Sequence, residues 1–96
     1  MSSYFIAQIN INDPAEYAKY LDGYDDIFKR FNGRVIATDE NPTILEGRWP
    51  YERTVLVRFP TKDDLLRWYD SPDYQKLADY RRKASDANII AIDGSD

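Results

Sequence analysis

The chain has 96 residues, which is enough for one domain and too few for two. Its net charge of −4 disfavours a nucleic-acid-binding protein, and its lack of Cys and His excludes disulfides, thiolate metal sites, a cysteine nucleophile and a histidine base. No basic segment followed by a long apolar run is present, so we expect no signal peptide, no membrane-spanning helix and a cytoplasmic protein.

The first strand is predicted over residues 4–11, because apolar and polar side chains alternate along YFIAQINI. A long amphipathic helix follows, with Asp13 as its N-cap and a proline at its first position. Asn32-Gly33 ends this helix, and Gly33 suits a left-handed C-terminal cap. Gly23 lies within the helix, where it costs about 1 kcal/mol relative to Ala, and it indicates close packing or a bend.

A short strand is predicted over residues 34–38, and residues 43–47 form either a second short strand or its continuation after a bulge. Residues 53–60 form a stronger strand. One face of this strand carries Val55, Val57 and Phe59. The opposite face carries Thr54, Leu56 and Arg58. The last strand is predicted over residues 88–94, where a glycine stops it.

Two helices are predicted between the third and fourth strands. Thr61 is the N-cap of the first, with Asp64 in the capping-box position. The apolar stripe of this helix consists of Leu65, Trp68 and Tyr69. Ser71 caps the second helix, which has Pro72 at its first position and ends near Ser85.

The element order β-α-β-β-α-β predicts an α+β fold of ferredoxin-like topology, in one domain that spans residues 1–96. Its four-stranded antiparallel sheet should have the first and third strands in the centre and the helices on one face. The other face then carries Ile6, Gln8, Leu56 and Arg58, and it is too apolar to be stable in water. We therefore predict a homodimer that packs two such faces together and encloses a small cavity.

Arg58 lies in the middle of a strand on this open face, where a buried guanidinium needs a carboxylate or an anionic ligand. Gln8 should point the same way from the neighbouring strand, and Glu46 and Trp49 precede the strand of Arg58. One interpretation is a pocket with a guanidinium, a carboxylate, an amide and an aromatic wall. The other is an Arg58–Glu46 ion pair that is buried at the dimer interface.

Trp68, Tyr69 and Tyr74 could stack on a ligand, yet their helical spacing fits core packing, and we expect packing for most of them. Arg81 and Arg82 are adjacent, so their side chains point about 100° apart on a helix and at most one faces inward. An inward arginine could hold an anion, whereas a solvated one would favour the helix C-terminus.

The acidic turns at residues 13–16 and 39–42 match no metal-binding loop, and turn and capping roles explain them. The sequence also has no glycine-rich phosphate loop and no serine-hydrolase elbow. We therefore expect no bound metal and no cofactor.

Several stretches of the sequence resemble the DUF1330 family within the dimeric α/β-barrel group. They are DPAEYAKY, GRVIATDENPTILEGRWP, RTVLVRFP, WYDSPDYQKL and RRKASDANIIAIDG, and together they cover nearly the whole chain. The positions that match the family pattern are Glu46, Gly47, Trp49, Arg58, Trp68, Tyr69, Ser71, Pro72, Tyr74 and Arg81. The resemblance implies a ferredoxin-like subunit that dimerises through its sheet, from a mostly bacterial family with no established activity.

Related dimeric α/β-barrel families include cofactor-free monooxygenases and muconolactone isomerases, which suggests one hypothesis for this chain. In it, Glu46 is a base and Arg58 holds a substrate carboxylate or enolate. The predicted ligand-binding residues are Gln8, Trp49, Trp68, Tyr69, Tyr74 and Arg81. The alternative is a non-catalytic dimeric binding or stress-associated protein, and the sequence leaves open whether the protein is an enzyme.

Overall fold

Helices cover one face of a four-stranded antiparallel sheet in the computed structural model, which describes residues 1–96. The elements are β1 (Ser3–Ile11), α1 (Pro14–Arg30), β2 (Arg34–Asp39), β3 (Arg53–Phe59), α2 (Lys62–Asp70), α3 (Pro72–Ala84) and β4 (Ser85–Asp93). The strand order is β2-β3-β1-β4, so the first and third strands are central, and the ferredoxin-like topology is confirmed. None of the helices is long and apolar enough to cross a membrane.

Each helix begins at the cap that the sequence predicts. The side chain of Asp13 accepts a hydrogen bond from the Glu16 N–H (3.2 Å) at the start of α1. The hydroxyl of Thr61 accepts one from the Asp64 N–H (3.1 Å) at the start of α2. Ser71 separates α2 from α3, because its backbone is extended and its hydroxyl donates to the Trp68 carbonyl oxygen (2.7 Å). The predicted division of the second crossover into two helices is thus confirmed.

The last strand is longer than predicted, since β4 begins at Ser85 rather than at Asn88. It pairs antiparallel with the whole of β1, from Ser85 opposite Ile11 to Asp93 opposite Ser3. Hydrogen bonds to β1 keep this early part of β4 extended, and α3 therefore leads directly into the strand.

The left-handed residue at the end of α1 is Asn32 and not Gly33, which corrects the predicted cap. Asn32 has a φ of 67°, a conformation that asparagine tolerates. Position 33 has no room for a side chain, because a Cβ there would lie 2.6 Å from Cε1 of Phe59 and 3.2 Å from the carbonyl oxygen of Phe28. Its missing side chain lets the chain enter β2 against the ring of Phe59.

The connection between β2 and β3 contains no strand, so the strand expected over residues 43–47 is wrong. Pro42 and Pro50 have no N–H for a strand ladder, and Gly47 has a φ of 79°, which interrupts extended backbone. The end of the connection is held against β1, since Asn10 Nδ2 donates to the carbonyl oxygen of Pro50 (2.7 Å).

Trp68 lies at the centre of an aromatic core between the helices and the sheet. Its ring centroid is 4.1 Å from that of Tyr74, 4.8 Å from that of Phe28 and 5.0 Å from that of Phe5. Trp68 and Tyr74 are fully buried, as expected for packing residues. Burial of these large rings is a major source of stability for so short a chain.

The hydroxyl groups of Tyr20 and Tyr74 hydrogen-bond to each other inside this core (2.8 Å). Burial raises the pKa of Tyr20 well above the usual value of 10.0, because it keeps water from a phenolate. Burial also raises the pKa of Tyr74, although the charge of Arg81 partly offsets this effect. Both phenols therefore stay neutral in the folded protein at a pH where an exposed tyrosine ionises.

Gly33→Ala should lower the free energy of unfolding by about 1–3 kcal/mol, because the added methyl group overlaps the buried ring of Phe59. The matched control is Gly23→Ala in α1, where the nearest atom to the added Cβ is the flexible end of Leu77 at 3.2 Å. The better helix propensity of Ala offsets that contact, so this change should stay within about 1 kcal/mol. Urea unfolding followed by circular dichroism measures the free energy of unfolding of both variants. An equal loss of stability in the two would contradict the role assigned to Gly33.

Stability should fall as the pH rises through about 10, because tyrosines of the unfolded chain lose protons there that Tyr20 and Tyr74 keep in the folded state. Below about pH 9 both states hold these protons, and the stabilising contribution is fully present. Tyr20→Phe should show a shallower fall in the free energy of unfolding between about pH 9 and 11 than the wild type. Tyr80→Phe changes an exposed ring and should keep the wild-type slope. Identical slopes for all three proteins would refute the expectation.

Candidate functional site

The open face of the sheet, which no helix covers, carries an apolar row beside a guanidinium. Strand register places Ile6 of β1 between Leu56 of β3 and Ile90 of β4. Ile90 is 55% exposed in the single chain. The neighbouring row places Tyr4 opposite Arg58. Apolar side chains and Arg58 therefore share one surface.

Trp49 and Gln8 lie together at the polar end of the open face. The indole Nε1 of Trp49 donates to Oγ1 of Thr54 (3.1 Å), and Thr54 is the β3 partner of Gln8. On the other side of Gln8, its β4 partner Asn88 donates to the hydroxyl of Tyr51. The β2–β3 loop (residues 40–52) thus supplies two aromatic side chains to this end of the face.

Arg58 has one carboxylate within 4 Å in the chain, that of Asp96, whose Oδ2 lies 3.6 Å from Nη2 of Arg58. The backbone N–H and the hydroxyl of Ser2 donate to Asp96 (3.0 and 2.8 Å), and these hydrogen bonds lower the pKa of Asp96. Both side chains of the ion pair are partly exposed, so water weakens their attraction. The guanidinium of Arg58 still has N–H groups for a second acceptor.

Glu46 forms no ion pair with Arg58 in the single chain. It is exposed in the β2–β3 loop, where it lines a groove of about 320 Å³. The other residues of this groove are Pro42, Thr43, Ile44, Leu45 and Trp49. The predicted base and the predicted anion-holding residue therefore have separate surroundings, and Trp49 lines the groove of Glu46.

The three predicted ligand-binding aromatics of α2 and α3 pack against one another, with ring centroids 4.1–5.9 Å apart, but they do so mainly inside the core. Trp68 and Tyr74 lie inside the core and reach no solvent. Tyr69 is half-buried and lines an apolar groove of about 250 Å³ between α2 and β4, together with Leu66 and Ile89.

The structure decides which of the two adjacent arginines of α3 faces inward. Arg81 is buried, and its guanidinium carbon lies 5.8 Å from the centre of the Tyr20 ring. Arg82 is exposed and donates to the side chains of Asp79 (3.0 Å) and Gln75 (2.5 Å). Arg81 is thus the member of the pair that a buried anion could contact.

Sequence reasoning missed a second buried arginine, Arg53. Strand alternation places it on the same side of β3 as Val55, because the two are separated by one residue, and it faces the core. An arginine at an inward position of an apolar strand was the available signal. The guanidinium carbon of Arg53 lies 5.8 Å from the centre of the Tyr17 ring, and Arg53, Tyr17 and Arg81 line one pocket beneath the helices.

Solved structures share this fold at low sequence identity. A protein of unknown function from Rhodopseudomonas palustris has a TM-score of 0.79 and 16% identity, over 99% of this chain and 83% of that one. SnoaB, a cofactor-independent oxygenase from Streptomyces nogalater, has a TM-score of 0.67 and 18% identity, over 99% of this chain and 94% of that one. A dimeric ferredoxin-like protein of unknown function from Jannaschia sp. CCS1 has a TM-score of 0.69 and 10% identity, over 98% and 100%. No curated protein matches the chain.

At these identities the solved structures show the fold alone, and a family model identifies the family. The model for DUF1330, a domain of unknown function, matches residues 2–95. The match spans almost the whole chain, including the motifs that suggested the resemblance. The chain therefore belongs to the DUF1330 family.

Proposed function

We propose that the protein is a homodimer that binds a small anionic or aromatic molecule between the open faces of its two sheets. The observation that supports it best is the apolar row of Ile6, Leu56 and Ile90 on a face that no helix covers. Exposed apolar surface of this kind is typical of a protein interface. A second copy would cover it with the same self-complementary face around a two-fold axis, and the dimeric protein from Jannaschia, which has a similar fold, is consistent with this arrangement.

Such a dimer would enclose polar groups that favour an anion. Covering the open face would remove water from Arg58, whose 3.6 Å contact with Asp96 is too long for a hydrogen bond and leaves its donors free. A ligand carboxylate would accept two parallel hydrogen bonds from this guanidinium. Trp49 and Gln8 lie at the other end of the same face, four residues along β3 from Arg58, and would supply an aromatic wall and an amide to that end of the cleft. The proposed ligand is therefore a small carboxylate, with or without an aromatic ring.

The geometry supports the binding of a small ligand better than it supports a catalytic reaction. The isomerase or cofactor-free oxygenase hypothesis needs Glu46 as a base close to Arg58, and the single chain leaves Glu46 exposed in the β2–β3 loop. The likeness to SnoaB, at 18% identity, is one of fold and does not transfer its reaction. The roles of Glu46 and Arg58 in catalysis stay predictions. The absence of Cys is compatible with the cytoplasmic location that we propose.

Leu56→Glu should convert the dimer to a monomer, because a carboxylate in the middle of the interface would be buried without a partner in both copies. The matched control is Leu21→Glu, which makes the same change at an exposed position of α1. Sedimentation equilibrium at micromolar concentration should give twice the chain mass of 11.3 kDa for the wild type and for Leu21→Glu. It should give the single-chain mass for Leu56→Glu. A wild type and a Leu56→Glu variant of equal mass would contradict the proposed interface.

Arg58→Met should weaken binding of a small carboxylate about 10-fold or more, because it removes a charged hydrogen-bond donor from the cleft. The ligand is first found by thermal shift over a panel of aliphatic and aromatic carboxylates, and its Kd is then measured by calorimetry. Arg30→Met removes an exposed arginine that pairs with Asp73 across α1 and α3, and it should bind like the wild type.

A panel that gives no thermal shift would favour the non-catalytic structural alternative. A ligand whose Kd is the same for the wild type and for Arg58→Met would exclude Arg58 from its site.

A further inference from the structure

The two edges of the sheet differ in their regularity. The strand order β2-β3-β1-β4 makes β2 and β4 the outer strands. β2 has six residues, and its pairing with β3 shifts register between Val35 and Ala37. β4 has nine residues and pairs with β1 without a shift, from Ser85 to Asp93. One edge is therefore short and interrupted, and the other is long and regular.

The sequence of β4 lacks the features that keep other strands from pairing with an edge. Residues 87–92 read ANIIAI, with no charged residue, no proline and no glycine. The two charged residues of the strand, Asp86 and Asp93, lie near its ends. Natural proteins protect an exposed edge with charges, prolines or bulges, because an unprotected edge pairs with other chains. The β4 edge therefore has the character of a surface that pairs with another strand.

Hydrogen bonds at the two ends of the β1–β4 ladder determine which backbone groups of β4 face outward. The N–H of Asn12 donates to the carbonyl oxygen of Ala84 (2.7 Å), and the N–H of Gly94 donates to that of Ser2 (2.7 Å). Hydrogen-bonded pairs alternate along an antiparallel ladder, so the even-numbered residues of β4 bond to β1. The odd-numbered residues direct their N–H and C=O groups away from the sheet. Those within the uncharged segment are Ala87, Ile89 and Ala91.

A hydrophobic groove runs beside this free edge. It has a volume of about 250 Å³ between α2 and β4, and its walls include Leu65, Leu66 and Tyr69 of α2 and Ile89 and Ala91 of β4. Every residue that lines the groove is hydrophobic. A strand added to β4 would lie about 4.8 Å away and would place every second side chain on the helix face of the sheet. Those side chains would lie next to the groove.

We propose that β4 pairs antiparallel with β4 of a second copy of this chain, around a two-fold axis at Ile89. In this register Ile89 bonds to Ile89 of the second copy and Ala87 bonds to Ala91, so the outward groups of both strands find partners. The two Ile89 side chains lie opposite each other on the helix face, beside the groove of each copy. Neither Asp86 nor Asp93 lies opposite an aspartate, so no like charges meet across the pair.

This edge contact is separate from the open face and goes beyond the proposed ligand-binding dimer. A dimer that forms through the open faces and also pairs through β4 contains four chains. The edge contact is the weaker of the two, because one strand buries less surface than a whole sheet face, and it therefore needs a higher protein concentration.

The test is sedimentation equilibrium of the wild type and of Ala91→Pro at micromolar and at millimolar concentration. Proline has no N–H, and the N–H of Ala91 takes no part in the ladder with β1, so this change blocks the edge and leaves the sheet intact. Both proteins should have the mass of two chains at micromolar concentration. At millimolar concentration the wild type should have the mass of four chains, whereas Ala91→Pro should stay at two. Ala91→Ser keeps the N–H at the same position and should associate like the wild type.

A wild-type mass that does not rise at millimolar concentration would overturn the edge contact, and so would an Ala91→Pro variant that associates like the wild type. The proposed open-face dimer can fail independently. Wild-type masses of one chain at micromolar and two at millimolar concentration would contradict that dimer alone. Ala91→Pro would then still halve the mass at millimolar concentration.

If Ala91→Pro does not fold, amide hydrogen exchange of the wild type decides the question. From micromolar to millimolar concentration, the amides of Ala87, Ile89 and Ala91 should exchange several-fold more slowly, because they gain hydrogen-bond acceptors. The amides of Asn88 and Ile90 already bond to β1 and should keep their rates. Unchanged rates for the three outward amides would overturn the proposal.

Discussion

The structure depends on a sheet that its own helices can cover on one face only. All three helices pack against the side that carries Phe5, Val57 and Phe59, where they form an aromatic core around Trp68. The opposite side presents apolar and polar rows to solvent. None of the elements of residues 1–96 covers this side, and its open apolar row is what supports the proposed dimer.

The two sides differ in what they can bind. The helix side is filled by the core, and the pocket beside its buried arginines, about 10 Å³, holds no more than one water. The open side is wide, and its guanidinium, that of Arg58, shares the surface with Trp49 and Gln8. A ligand on the open side would contact residues of both copies.

Local signals in the sequence were sufficient for most of the fold. Asp13, Thr61 and Ser71 each cap a helix through an N–H that lies within the next turn, and strand alternation separated the two faces of β1 and β3. Predictions failed where a distant contact decides the conformation. Gly33 is fixed by the ring of Phe59, and the start of β4 is fixed by pairing with β1. The candidate site was harder to predict from the sequence. Glu46 lies in a loop whose path no periodic pattern sets, and whether Arg81 or Arg82 faces inward depends on the rotation of α3 about its axis.

Hydroxyl-radical footprinting of the wild type at micromolar concentration tests most directly whether a second copy covers the open face of the sheet. In the single chain Ile90 on the open face is 55% exposed and Leu21 on the outside of α1 is 37% exposed. If a second copy covers the open face, Ile90 should be oxidised more slowly than Leu21, although it is the more exposed of the two in isolation. Oxidation of Ile90 that is faster than that of Leu21 would show an uncovered face and would contradict the dimer and the ligand site between its sheets.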